Sequence, residues 1–432
     1  MLLVFTHKIT PRLTYIFKHI FVRVLNIEVE FTTKVEEFVA HNGPKLTYSK
    51  APLGKEFFIK NNSLLFEQGI NDLTIKVKKW EETPCFFPTG ELSSIPFDIF
   101  AASFYLITRY EEYQPHVADK HELFSATQSL AFENDFLTKP VVDIWAYKLL
   151  EKLLIKFPNI TISDRTYKTI STINVNEAFS YKHKGIIRNF AGYFSDFFKL
   201  NFRGIGRRTS VILRLKKDPY NTYSQILKIA KKAKTKVIFF FLFSEYTTHD
   251  TNVSSTNRNY KLLIKSIIDY VPFGQLFSYY TIKSAKKLNK EKNNFELIVN
   301  RPVTKSRQHV NRFEIPKTYQ NLIDLGITED YSMGYYSHIG FRASTCTPFY
   351  FYDLDYEIKT PLKIFPFAVN DDTFLKQQLT AKEAYLKIKA IEHEVRKVNG
   401  TFITIFHNTL LSDMQSNEQW KDLYEKILIN TN

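Results

Sequence analysis

The sequence predicts an α/β protein in which a smaller α+β domain precedes a larger strand–helix domain. Three observations carry that reading. The composition is that of a folded chain: 432 residues, 44% hydrophobic and 24% charged, enough for two or three domains that each bury a core. Short apolar segments separated by turn signals occupy residues 1–155. From about residue 165, strand-like apolar runs alternate with helix-length amphipathic segments, the pattern of parallel βαβ units in a sheet or barrel.

Taken in order, Leu2–Phe5, Glu28–Thr32 and Leu73–Val77 read as strands, with His41-Asn42-Gly43-Pro44 as a turn. Pro96–Glu112 reads as a helix: Phe97, Phe100, Ala101, Phe104 and Tyr105 recur at helical spacing, and Pro96 stands near its start. Its aromatic stripe is expected in the core. Val141–Lys156 is a second helix, carrying Trp145, Leu149 and Leu150. A boundary falls near Pro158 and Ser163-Asp164-Arg165, giving domains 1–160 and 165–432. Beyond it, Lys168–Val175 and Lys236–Phe243 are strands, the second apolar enough to be buried on both faces. Tyr220–Lys232 is a basic helix, Ser244–Asn259 a polar loop and Tyr260–Tyr270 a helix. Phe295–Val299 and Ile364–Val369 are short apolar segments, Pro316–Leu325 and Thr380–Val398 helices, and Thr401–Phe406 the closing strand.

Lys and Arg number 59 against 44 Asp and Glu, a formal charge of +15. That balance permits an anionic partner without requiring one. The basic segments Arg203–Lys217 and Lys228–Lys236 are the best support for nucleic-acid binding. The second, however, continues a helix with Ile226 and Ile229 on its apolar side, so a solvated outer face explains it and nucleic acid is a remote reading. Cys85 and Cys346 cannot form a disulfide framework. The start lacks the uninterrupted apolar stretch of a signal peptide, and no run approaches the length of a membrane span. The expectation is a soluble, cytoplasmic protein without a membrane span.

In α/β folds, sites gather past the carboxyl ends of strands. Those positions here hold Asn174 and Asn176, Gly274-Gln275-Leu276, Ser306-Arg307-Gln308-His309, Asp330–Tyr335, Gly340–Thr345, Asn370-Asp371-Asp372 and His407-Asn408. The series resembles the polysaccharide deacetylases, the NodB-homology fold of the family-four carbohydrate esterases. More closely it resembles a bacterial branch with an uncharacterised N-terminal domain. Pro96–Tyr113 is similar to that domain's signature; Ser306–His309, Asp330–Ala343, Pro348–Leu354 and Gly400–Asn408 are similar to the deacetylase part.

The resemblance implies a distorted (β/α) barrel that removes acetyl groups from N-acetylated sugars with one divalent, zinc-like metal. In that chemistry an Asp and two His hold the ion, a second Asp takes a proton from water, and a late His protonates the leaving amine. Carried across, His407 matches the late acid, Arg342 the arginine that orients the base, and Asp371 the acidic residue of the following loop. His309 matches a metal ligand, with Arg307 and Tyr331 as substrate-binding candidates. Where the branch has Asp-x-Asp, this chain has Asn174 at the base position and Asn176 at the metal position. Where it has His, this chain has Leu276. A neutral amide is no general base and a poor zinc ligand, and Leu binds no metal.

The reading is therefore a deacetylase-like protein with weakened or absent hydrolysis, whose metal can be missing, unless Glu177, Asp250 or His338 replaces a lost ligand. The alternative is a non-catalytic glycan-binding or assembly partner in polysaccharide synthesis. Satisfied structural histidines at 309 and 407, an Arg342–Asp371 ion pair, Asn174 and Asn176 as turn formers, and a buried inert Cys346 are the plain structural alternatives.

Overall fold

The computed structural model describes residues 1–119, 121–163 and 165–430. Asp164, part of the expected boundary, lies outside the described residues. The chain forms two compact units, neither continuous in sequence. The first comprises Met1–Lys168, Phe313–Ala368 and Lys389–Phe402; the second comprises Thr169–Arg312, Val369–Ile388 and Ile403–Asn432. Both are mixed α/β with parallel strand pairs.

The first unit opens with β1 (Leu2–Phe5), β2 (Val29–Thr32), β3 (Lys45–Ser49) and β4 (Phe57–Lys60), a parallel sheet in the order β2-β1-β3-β4. Leu73–Val77 is not a strand. Pairing begins one residue later in the hairpin β5 (Lys78–Trp80) and β6 (Thr83–Cys85), where Trp80 is buried and Lys78 faces Cys85. The expected helix over 96–112 is shorter, Ile99–Ile107. Asp98 starts it by accepting the Phe100 and Ala101 N–H groups at 3.0 Å, and Arg109 ends it in the left-handed conformation at φ 56°. Every residue of this helix is buried, so the aromatic stripe is core. Asp98 also accepts from Tyr48 Oη and Asn62 N at 2.6 Å each, and burial pushes its carboxyl up to about 6. The helix Val141–Lys156 is found as expected, with Trp145 Nε1 donating to Pro84 O at 2.9 Å.

The second unit is built on β7 (Lys168–Val175), β8 (Lys236–Leu242), β9 (Phe273–Phe277) and β10 (Lys305–Gln308). The chain then supplies β11 (Glu329–Asp330), β12 (Phe349–Asp353) and β13 (Ile358–Ile364) to the first unit, in the order β12-β13-β11. It ends with β14 (Val369–Asn370) and β15 (Thr401–His407), and the second unit reads β10-β9-β8-β7-β15-β14. The β7–β8, β8–β9, β9–β10 and β14–β15 pairs are parallel, so their carboxyl ends share one edge.

Phe295–Val299 is the end of a helix, Ala285–Val299, rather than an isolated apolar segment. Its buried residues Leu288, Glu291, Phe295 and Val299 recur at three- and four-residue intervals, which a window starting at Phe295 does not reveal. Two further helices, Ile186–Phe198 and Phe202–Ile212, occupy the stretch between β7 and β8 that carries no sequence assignment.

Candidate functional site

The site is built on the face that β7, β8, β9 and β10 share. Register pairs Asn174 with Phe240, Phe240 with Gly274, and Leu276 with Arg307. In-register neighbours project to the same side of a parallel sheet. Gly274 is required there: a Cβ would lie 2.5 Å from the Phe240 ring and 2.8 Å from Lys305 O. Over the same Phe240 ring, at 4.4 Å, stacks the guanidinium of Arg307. That buried guanidinium donates from Nη1 to Thr172 Oγ1 at 2.9 Å and to Asn174 Oδ1 at 2.8 Å. The amide oxygen of Asn174 is thus fixed toward Arg307, and its Nδ2 faces His407 Nε2 at 3.3 Å.

His407, the last residue of β15, is held by Asp371 twice. Its Nδ1 lies 2.5 Å from Asp371 Oδ1, and its backbone N–H donates to Asp371 Oδ2 at 2.6 Å. Asp372 Oδ2 stands 3.5 Å from Nε2. Burial works against a charged imidazole, but Asp372 and Asp371 outweigh it, and His407 is pushed up to about 9. It is an imidazolium at neutral pH, so Asn174 Nδ2 contributes no hydrogen bond to Nε2, where two donors face each other.

Past β10, His309 is mostly buried and its Nδ1 lies 2.9 Å from Asp250 Oδ1. Asp250 also accepts Tyr279 N at 2.9 Å and Thr247 Oγ1 at 2.7 Å. Its burial favours the neutral acid, yet the His309 bond and charge hold its carboxyl below the ordinary range. Val310 follows at φ 57°, a strained conformation for a β-branched side chain, and Asn311 at φ 52°. Two consecutive left-handed residues turn the chain sharply beside the His309 ring. His309 directly follows β10, at the end of a strand in the same sheet as β7 and β15. Asn176 completes the edge with Oδ1 buried and, among the described residues, without a hydrogen-bond partner.

Arg307, Asn174, Asp371, His407, Asn176 and His309 therefore line one edge of the second unit, and Leu276 is buried on the face they share. Two expected residues do not belong to this group. Arg342 lies in the first unit, where Nε and Nη2 grip Glu112 at 2.8 and 2.6 Å and its guanidinium covers the Phe313 ring at 4.2 Å. Arg109 joins the same carboxylate at 2.7 Å, and Glu112 is held at about 2; burial opposes that shift and the two arginines outweigh it. Tyr331, expected to touch substrate, is wholly buried in the first unit, stacked on Phe365 at 4.6 Å with its hydroxyl on Glu329 at 2.8 Å.

Of the three possible replacement ligands, Asp250 alone bonds a site histidine. Glu177 pairs with Lys184 at 2.5 Å and accepts Thr251 Oγ1 at 2.7 Å. His338 meets Ser337 Oγ at 2.9 Å and the Phe132 ring. The residue the sequence reading missed is Asp372. One nitrogen of His407 and one oxygen from each of Asp371 and Asp372 lie within 4.8 Å of one another, a group that can hold a metal ion. The Asn-Asp-Asp run was the available signal: the Asn370 side chain caps the following helix by accepting Asp372 N at 3.2 Å, presenting both acids in its first turn.

Residues 2–158 match a family of unknown function (DUF7033). No curated protein matches the chain. Among solved structures, the chain is similar to one provisionally described as a polysaccharide deacetylase from Mycobacterium smegmatis, at 12% identity and a TM-score of 0.39, covering 62% of this chain and 86% of that one. It is also similar to a CE4-family pseudoenzyme from Bacillus anthracis, at 13% identity and a TM-score of 0.27, covering 60% of this chain and 62% of that one. A mutant of that pseudoenzyme with restored enzymatic activity matches at 12% identity and a TM-score of 0.29, covering 60% and 64%.

Proposed function

We propose that this chain is a polysaccharide deacetylase-like protein, with a distorted barrel over residues 165–432 behind an N-terminal domain over 1–160. In this reading it binds an N-acetylated glycan, and its amide hydrolysis is lost or severely weakened. The observation that carries the reading is the charge balance around His407. Arg307 and the His407 imidazolium supply two positive charges; Asp371 and Asp372 supply two negative ones. A resident divalent cation needs excess negative charge and a deprotonated imidazole. The positions that would supply the carboxylates are the amides Asn174 and Asn176, and Leu276 stands in place of an imidazole. By spacing the Asp371–Asp372–His407 group suits an ion, but an ion there would have to displace the His407 proton and would meet no carboxylate at Asn174 or Asn176.

What remains suits sugar hydroxyl and acetamide groups: a cationic donor at His407, acceptors at Asp372 and the unpartnered Asn176 Oδ1, and a fixed amide at Asn174. The test loads the protein with zinc, dialyses it exhaustively, and measures metal content, acetate release and binding of N-acetylated chitooligosaccharides. Wild type is expected to retain well under one equivalent, to release no acetate and to bind the oligosaccharide. Asn174→Asp combined with Asn176→Asp is expected to gain retained metal. About one metal per wild-type chain, lost in His407→Ala and accompanied by acetate release, would establish the metal-dependent hydrolase that the Asp371–Asp372–His407 spacing favours.

A further inference from the structure

The connection between β7 and β8 carries an excursion that neither the sheet nor the site requires. Asp218 fastens its two ends together, accepting Ser180 N at 2.8 Å and both Tyr181 N and Lys182 N at 3.0 Å. Between these points the helices Ile186–Phe198 and Phe202–Ile212 form a hairpin. Arg208 locks it: the guanidinium reaches Asp196 at 2.9 Å, covers the Tyr181 and Tyr193 rings, and occupies the space a Cβ on Gly192 would need. Tyr193 Oη and Thr209 Oγ1 meet at 2.9 Å. This is a fixed element, not a frayed one.

The apolar side chains of its first helix are nevertheless exposed. Ile186, Ile187, Phe190, Phe194, Phe197 and Phe198 are between 58% and 85% exposed, and the first helix has no buried residue. At helical periodicity these six fall within an arc of about 120°. Leu200 and Phe202 extend the surface through the turn. A rigid apolar face of this size marks an interaction surface. Charge indicates its occupant. Residues 182–217 contain ten Lys and Arg and one acid, Asp196, already paired with Arg208. Nine of the chain's fifteen net positive charges therefore sit on this excursion. A helix with bulky apolar residues on one side, basic residues flanking it and too little length to span a bilayer fits a membrane interface. Among the described residues no helix is long and apolar enough to cross a membrane.

We infer that the 182–217 hairpin seats this protein on the surface of an anionic lipid bilayer, its phenylalanines among the acyl chains and Lys199, Arg203, Arg207, Arg214, Lys216 and Lys217 at the headgroups. The hairpin is tied to the edge that carries the site. Lys184 pairs with Glu177, next to Asn176, and Arg188 donates to Asn252 O at 3.1 Å, two residues from Asp250. A bilayer seated there brings membrane-borne ligands to the His407 edge, a consequence that rests on the proposed function; the docking itself does not.

Flotation of the full chain with vesicles tests the docking. Vesicles of phosphatidylcholine with about one third phosphatidylglycerol are compared with phosphatidylcholine alone. Wild type is expected to float with the anionic vesicles, and Phe190→Ser, Phe194→Ser and Phe198→Ser combined to weaken binding by about tenfold or more. These positions are exposed, so the variant should keep the wild-type melting temperature. Independently, a Phe194→Trp variant should show blue-shifted emission with anionic vesicles and quenching by brominated acyl chains. No flotation with either vesicle overturns the inference. Dimerisation abolished by the serine variant, without flotation, assigns the face to a second copy and also overturns it. So does binding of nucleic acid but not vesicles. None of these readouts depends on acetate release or oligosaccharide binding.

Discussion

Replacing Asp371 by Asn tests the electrostatics of the site directly. Wild-type His407 is 5% exposed, with Asp371 at 2.5 Å from one ring nitrogen and Asp372 at 3.5 Å from the other. Its pKa of about 9 stands against an ordinary value of 6.5. That gap corresponds to on the order of 3 kcal/mol. Because the folded value is the higher one, this stabilisation is fully present below pH 6.5, declines as pH rises toward 9, and is gone above it. Asn keeps a carbonyl oxygen for the ring N–H and removes one of the two charges; its NH2 then faces the His407 backbone N–H, a cost that is the same at every pH. His407 in Asp371→Asn should titrate at least about one pH unit lower, and roughly half of the stability lost between pH 7 and 9 should disappear. Imidazole resonances in ¹H–¹⁵N spectra report the titration, and urea unfolding at pH 7, 8 and 9 reports the stability. Glu291, raised to about 7 by burial, titrates across the lower part of this window in both proteins, so the difference between variant and wild type reports His407. His407 titrating near its ordinary value in wild type, or unmoved in the variant, would refute the reasoning.

Glu112→Ala should destabilise the first unit by about 3–5 kcal/mol in urea unfolding, since it leaves the buried Arg342 guanidinium without a carboxylate, while Arg109 keeps Glu111 at 2.6 Å. Because Glu112 is held at about 2, below its ordinary 4.5, wild type should lose this contribution as pH falls from 4.5 toward 2, and Glu112→Gln should flatten that limb. Asp98→Ala removes two helix-capping bonds and the Tyr48 partner, and should cost about 2 kcal/mol by the same assay. Gly274→Ala forces a methyl into the Phe240 ring and should cost about 1–3 kcal/mol. Through the Phe240–Arg307 stack it should also shift the His407 resonances, which a purely local clash would leave in place.

Strands β7 and β8 and the helix Val141–Lys156 were legible because each is a long run whose burial follows from its own residues. The site edge was legible for a related reason: strand ends are local features, and Asn174, Arg307, His309, Asp371 and His407 each stand at one. Partners were not legible. Nothing near Arg342 in sequence names Glu112, 230 residues away, as the carboxylate it grips. The motif around Arg342 is equally compatible with a catalytic role and a buried ion pair, and only tertiary contact separates them. The parallel strands β3 and β4 escaped because each is short, and its partner strand is not a hairpin neighbour across a tight turn.

The helix Ile186–Phe198 escaped for the opposite reason. Its periodicity is strong, with six large apolar residues on one arc, yet reading apolar residues as core gives that arc nothing to cover. In the folded chain it covers nothing. The rule that apolar periodicity points to the protein interior rests on water being the alternative solvent. Where a fixed, basic hairpin violates it over the whole 13-residue helix and the adjoining loop, no folding advantage offsets the exposed surface, and a second apolar phase supplies the missing partner. The same count bears on the net charge of +15, which composition alone does not place along the chain. Outside 182–217 the chain is close to balanced for its size, and the excess is a local property of the segment that also carries the exposed phenylalanines. Two independent features, one apolar and one electrostatic, converge on the same 36 residues.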